Sequence, residues 1–246
     1  MRRKYLHRAG LAVLPVWMGR YIEIVGEKTS ESTVDTLING IFGRVTGDAG
    51  SRFVIAIGQA IFLVLFLILY GDCIAARQRI GAVYFFSRIS NRKKWVLKEL
   101  IWLLFYSVLY AYCFVGMHMV FSIWGSSEVG VSMALFTVGV QIGLFLSLLL
   151  FEMAVLCNLF CAAGGSAVGI LLSMLCVIGL IMWSTAEVAG RLSQMINPMW
   201  LSADIIENVG SYIQKIIIVL LQTALCAGGT GYYLAKRDLF AREGEG

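Results

Sequence analysis

GDCIAARQRIGAVYFFSRISNRKKWVLKE, residues 71–99, is a basic stretch set between two apolar runs, 53–71 and 100–124, each long enough to cross a bilayer. It holds Arg77, Arg79, Arg88, Arg92, Lys93, Lys94 and Lys98, seven of the twenty Lys and Arg residues. Positive charge beside short loops resists translocation, so the stretch predicts a cytoplasmic loop and orients everything around it. It also predicts the protein's sizeable folded cytosolic surface. Contact with any partner inside the cell is expected there.

The remaining composition names the solvent. Apolar residues make up 59% and charged residues 14%, with a mean hydropathy of +0.81, against about 45–50% and about 25% in soluble domains. Two prolines and twenty-six glycines fit packed helices better than a β-barrel, whose strands read as alternating segments of about ten residues. A chain of 246 residues holds six spans of about twenty residues with short connections and no soluble catalytic domain besides. The expectation is a single all-α domain over 1–246, multi-pass, in a cell membrane. The six cysteines, Cys73, Cys113, Cys157, Cys161, Cys176 and Cys226, avoid the predicted external loops, so no disulfide framework is implied. Cys157 and Cys161 share a helical i,i+4 spacing that suits a metal pair, but only Glu152 stands near enough to add a ligand. Small buried hydrophobes is the reading of both, and no metal is expected.

Five spans follow from apolar length: 53–71, 100–124, 132–153, 166–183 and 212–234. A sixth, 8–26, is apolar over Ala9–Gly19 and then interrupted by Arg20 and Glu23; it reaches about 28 Å at about 1.5 Å per residue. Parity requires it. Without that crossing Arg2, Arg3, Lys4 and Arg8 would face outward, opposite the basic loop. Six spans put both termini in the cytoplasm with fourteen of the twenty basic residues. Arg20, Lys28, Arg44, Arg52, Arg191 and Lys215 remain at the outer face. The N-terminal run lacks a small-x-small cleavage pattern and is not expected to be a signal peptide.

Two external segments carry their own patterns. In 27–52, Val34, Leu37, Ile38, Ile41 and Phe42 follow a helical stripe that Ser32 or Thr33 can cap, predicting an amphipathic helix on the outer leaflet or over the external mouth. In 184–211, Pro198 breaks the backbone after Asn197 and Trp200 is an interfacial anchor type, predicting short helices dipping into the outer leaflet. The basic loop divides similarly. Ile80, Val83 and Tyr84, flanked by Phe86, form a short amphipathic helix with Arg77 and Arg79 facing elsewhere; Ser87–Asn91 turns, and Ser90 or Asn91 caps a helix running through Trp95 into the next span. Such a helix suits a protein partner and an anionic lipid surface alike.

Taken together, these features resemble the permease subunits of type-2 ABC exporters. The resemblance rests on six spans with cytosolic ends and on a basic helical loop after the second span, reading Gly71-Asp72, Gly81, Ser87-Arg88, Asn91-Arg92-Lys93-Lys94-Trp95 and Lys98. The broken external segment at Asn197-Pro198 and the tail Lys236-Arg237-Asp238-Leu239-Phe240 add to it. The small size is similar to that of the lantibiotic-immunity and antimicrobial-peptide branch. The short, interrupted first span, almost without a preceding amphipathic helix, departs from the pattern. The resemblance implies that the loop carries a coupling helix, with Arg77, Arg79, Ile80, Val83, Tyr84, Phe86 and Arg88 meeting an ATP-hydrolysing subunit. The chain has no G-x-x-x-x-G-K-[ST] phosphate loop, so ATP and Mg would belong to that partner and this chain needs no cofactor. A second permease, identical or paralogous, would complete the path, with membrane lipid around it and no nucleic acid involved.

Individual polar residues divide between function and packing. Arg20 and Glu23, three apart near the outer end of the first span, either pair and line the path or snorkel to the interface. With Phe42 and Trp200 they are the candidate outer gate for an amphipathic substrate entering from the membrane. Glu152, amid Leu148–Phe151 and Ala154–Leu156, is a functional candidate as an intramembrane charge, or a salt bridge to the Lys98–Glu99 region. His118 reads as a hydrogen-bonded packing residue. Gly165-x-x-x-Gly169, Ala224-x-x-x-Gly228 and Ala227-x-x-x-Gly231 allow close helix approach, inside the bundle or at a subunit seam. Two other functions compete. Ser166 and His118 superficially suggest an intramembrane serine protease, but the topology places them near opposite faces, too far apart for a nucleophile and its base. A non-transporting immunity or assembly protein would need the same membrane architecture without an ATPase.

Overall fold

The computed structural model describes residues 49–78, 92–125, 133–185 and 208–236, and the single positions Val34, Leu37, Ile41, Asn197, Ile205 and Ile206. Among these residues the long elements are helices, α1 (Ala49–Tyr70), α2 (Arg92–Gly125), α3 (Met133–Gly164), α4 (Ser166–Thr185) and α5 (Val209–Lys236), and no strand occurs. Ala60–Gln78, Arg92–Val120, Met133–Gly164 and Val209–Lys236 are long and apolar enough to cross a membrane, and Ser166–Ile181 is a shorter apolar helix. The chain has the make-up of a helical membrane protein. The first span expected at 8–26 lies outside the described residues.

α3 is the axis of the bundle. It packs against α1, α2, α4 and α5, and every residue from Phe145 to Val155 is buried. A helix enclosed on all sides must be apolar all round, as Leu148–Phe151 and Met153–Val155 are. It runs unbroken through Glu152 to Gly164, beyond the Met153 boundary that apolar length alone set. At about 1.5 Å per residue its 32 residues outreach a hydrocarbon core of about 30 Å, so its last turns stand beyond the apolar layer.

Opposite this core lies a continuous apolar exterior. Leu97, Ile101, Phe105 and Leu109 on α2, Leu171, Leu175 and Ile178 on α4, and Ile213, Ile217, Leu221 and Leu225 on α5 are all exposed. Water would not tolerate such a surface on a soluble monomer; acyl chains match it. Between α1 and α2 the contact is aromatic: Phe62 meets Phe114 at 4.2 Å and Tyr110 at 5.2 Å, and Tyr70 stacks on Tyr106. Several hydroxyls inside the helices return to their own backbone. Ser107, Ser122, Thr137, Ser147 and Ser173 each donate to the carbonyl four residues back, at 2.6–2.9 Å.

One residue links α3 to α4. Gly165 has φ +102°, the left-handed conformation that ends helices and favours glycine. Just beyond it, a Cβ on Gly169 would lie 2.3 Å from the Cys161 backbone nitrogen, so a side chain there would separate the two backbones. Outside the long helices, Leu37 and Ile41 are helical and buried, with Val34 packed on the same core. These three positions are turned to protein. Ile205 and Ile206 are also helical and buried.

Candidate functional site

The start of the basic loop is fastened to three helices. α1 ends at Tyr70, Gly71-Asp72 turn, and 73–78 resume as a short helix. Its first amides have no partner of their own, as at any helix start. Asn158, fully buried on α3, supplies one: its Oδ1 accepts from Ile74 N at 2.9 Å and Ala75 N at 3.2 Å, while its Nδ2 donates to Ala154 O at 2.8 Å. Close approach makes this cap possible, for a Cβ on Gly71 would lie 2.7 Å from Cys157 Sγ. Arg77 pairs with Glu99 of α2, and the Gln78 amide donates to Leu234 O of α5 at 3.4 Å. The loop root is thus tied to α3 by a cap, to α2 by charge and to α5 by an amide. Asn158 and Gln78 were not candidates in the sequence reading, where Gly71, Asp72 and Arg77 were the visible part and Glu99 appeared only in the region expected beside Glu152.

α5 is built inside out relative to a soluble helix. Tyr212, Lys215, Val219, Thr223, Thr230 and Leu234 are buried, with Cys226 half-buried on the same face, while its exposed side is apolar. The Tyr212 hydroxyl donates to Gln141 O of α3 at 2.8 Å. Lys215, expected near the outer face, has no exposed surface, and its ammonium donates to Asn197 O. Asn197, itself buried, donates from Nδ2 to Leu180 O at 3.1 Å, so Asn197 joins α4 to α5. Glu152 departs from the expected pairing with the Lys98–Glu99 region, where Lys98 is exposed and Glu99 pairs with Arg77. Its neighbours are on α5: Cys226 Sγ at 3.9 Å from Oε1, Thr223 beside it, and Lys215 within electrostatic reach. Thr223 and Glu152 are in side-chain contact, and among the described residues Thr230 Oγ1 has no hydrogen-bond partner.

The other candidates are scattered. Arg79, Ile80, Val83, Tyr84, Phe86 and Arg88 of the expected coupling helix, and Arg20, Glu23, Phe42 and Trp200 of the expected outer gate, lie outside the described residues. Gly169 stands in the α3–α4 contact and Gly165 in the turn before it. Ala224 and Gly228 face outward, with nothing within 4 Å of a Cβ on Gly228, whereas Gly231 meets Leu100 and Val96 of α2. His118 is buried with neither ring nitrogen hydrogen-bonded among the described residues; its ring meets Phe114 edge-on at 4.6 Å. Packing, not a hydrogen bond, holds it. Cys157 and Cys161 lie 3.9 Å apart at sulfur. Compared with protein-family models, with curated proteins and with solved structures, the chain matches none of them.

Proposed function

We propose that this chain is the permease subunit of an ATP-driven type-2 ABC exporter in a bacterial cytoplasmic membrane. It crosses six times with both termini cytoplasmic, pairs with a second permease, and moves an amphipathic substrate outward: an antimicrobial peptide, a drug or a lipid-like molecule. A separate ATPase holds ATP and Mg and drives the cycle through the 71–99 loop. The loop root carries this reading. A loop that only floated on lipid headgroups would not need its first turn capped by a residue 84 positions away and tied to two further helices. Fastened in this way, a displacement of the 77–88 segment reaches α2, α3 and α5 together. Arg20, Glu23, Phe42 and Trp200 form the outer gate in this scheme.

Inside-out vesicles containing this chain and any phosphate-loop ATPase encoded in a neighbouring gene provide the test. ATP should drive uptake of a fluorescent amphipathic peptide, and Glu23→Gln or Trp200→Ala should reduce uptake more than protein abundance. Vesicles containing both chains that show no ATP-dependent uptake of any amphipathic substrate would overturn the proposal.

A further inference from the structure

Charge is sorted around the first turns of α2. Its one acid, Glu99, is buried and pairs with Arg77, whereas Lys94 and Lys98, one turn apart, are exposed. At 3.6 residues per turn, Lys94, Lys98, Ile101, Trp102 and Phe105 fall within about 100° of arc, and all five are exposed. The other acids among the described residues stand elsewhere, Asp72 beside Cys157 and Glu152 against α5. Among the described residues, then, this outward face carries cations and apolar groups and no carboxylate.

The face is also ordered by depth. Two cations come first, then an indole, then aliphatic and aromatic groups. From Lys94 to Phe105 is about 16 Å along the helix, close to one leaflet of a hydrocarbon core about 30 Å thick. Trp102 stacks on Tyr106 at 6.1 Å and meets Phe105 edge-on at 5.9 Å. Those contacts orient the indole one turn below Lys98, at the headgroup boundary that tryptophan favours. A ligand for this face needs an anionic head and an apolar body about a leaflet long. A zwitterionic lipid brings its own cation to the lysines; an anionic one brings a net negative phosphate that complements them. We propose that this face of α2 binds an anionic phospholipid, its phosphate on Lys94 and Lys98, its glycerol esters against Trp102 and its chains along Ile101 and Phe105. The site rests on the bilayer reading of the bundle and stands whether or not the chain is an exporter.

Native mass spectrometry of the detergent-solubilised full chain tests it. The chain would be titrated separately with phosphatidylglycerol and phosphatidylcholine, and binding of the first lipid followed. Phosphatidylglycerol should bind about tenfold or more tighter, and Lys98→Gln should weaken it about fivefold, the share of one cation near the surface, with phosphatidylcholine unchanged. Lys236→Gln is the control. It removes the same charge from the end of α5, where the ammonium lies over the Tyr232 ring and the helix packs on α2 at Val96 and Leu100, away from the proposed site. That variant should bind phosphatidylglycerol as the wild type does. Unchanged affinity in Lys98→Gln would overturn the site, and so would an equal loss in Lys236→Gln, which would make the attraction diffuse. Should Lys98→Gln fail to insert, the wild-type comparison still decides, because equal affinity for the two lipids would contradict the proposal.

Discussion

Asn158 shows how much one side chain can organise. An asparagine near the end of a membrane helix usually turns to its own backbone, and its Nδ2 does so at Ala154; its Oδ1 instead completes a helix from a different part of the chain. Asn158→Ala would leave the Ile74 and Ala75 amides buried without an acceptor, costing about 1–3 kcal/mol. The thermal transition of the purified protein should fall accordingly, and protease cleavage within 71–99 should speed up. Unchanged stability and cleavage would mean the cap contributes nothing. Nothing near Asn158 in the sequence announces this role, because a cap supplied from 84 residues away is a property of packing, not of local pattern. The glycine that permits it, Gly71, was visible as the end of the 53–71 span.

At the scale of the element, α5 is the informative helix. Its buried residues recur every three or four positions, a spacing present in the sequence. What hid the stripe was that charge sorting set the depth of Lys215 near the outer face but not the side of the helix it occupies. In a bilayer a polar face turns inward. Leu225, exposed on the opposite face, should then tolerate no charge. Leu225→Arg is predicted to lower the membrane-integrated yield sharply, by an insertion cost of about 2.5–3.5 kcal/mol at a helix centre, measured by carbonate extraction. Normal integration would contradict the assigned orientation of α5. The spans themselves were legible for a simple reason: apolar length is local. Their ends were less so. α3 passes the Glu152 interruption because α5 gives that carboxyl polar neighbours, and its boundary at Gly165 depends on a backbone conformation rather than on hydropathy.

At the scale of the whole molecule, charge distribution and the fastened loop root point the same way. The six-span arrangement predicts that cysteines replacing Ser32 and Ser193 react with a membrane-impermeant maleimide on intact cells; protection of both would contradict it. The central claim is that an ATPase drives this bundle through the 71–99 loop. The direct measurement is ATP hydrolysis and peptide transport together, in proteoliposomes of this chain and a phosphate-loop ATPase that co-purifies with it, wild type against Phe86→Glu. Aromatic anchors carry much of the energy of such interfaces. The account predicts coupled hydrolysis and transport in the wild type, and transport lost in Phe86→Glu with the permease still folded and inserted. Transport and ATPase binding both undiminished in Phe86→Glu would contradict it and leave the loop on the lipid surface.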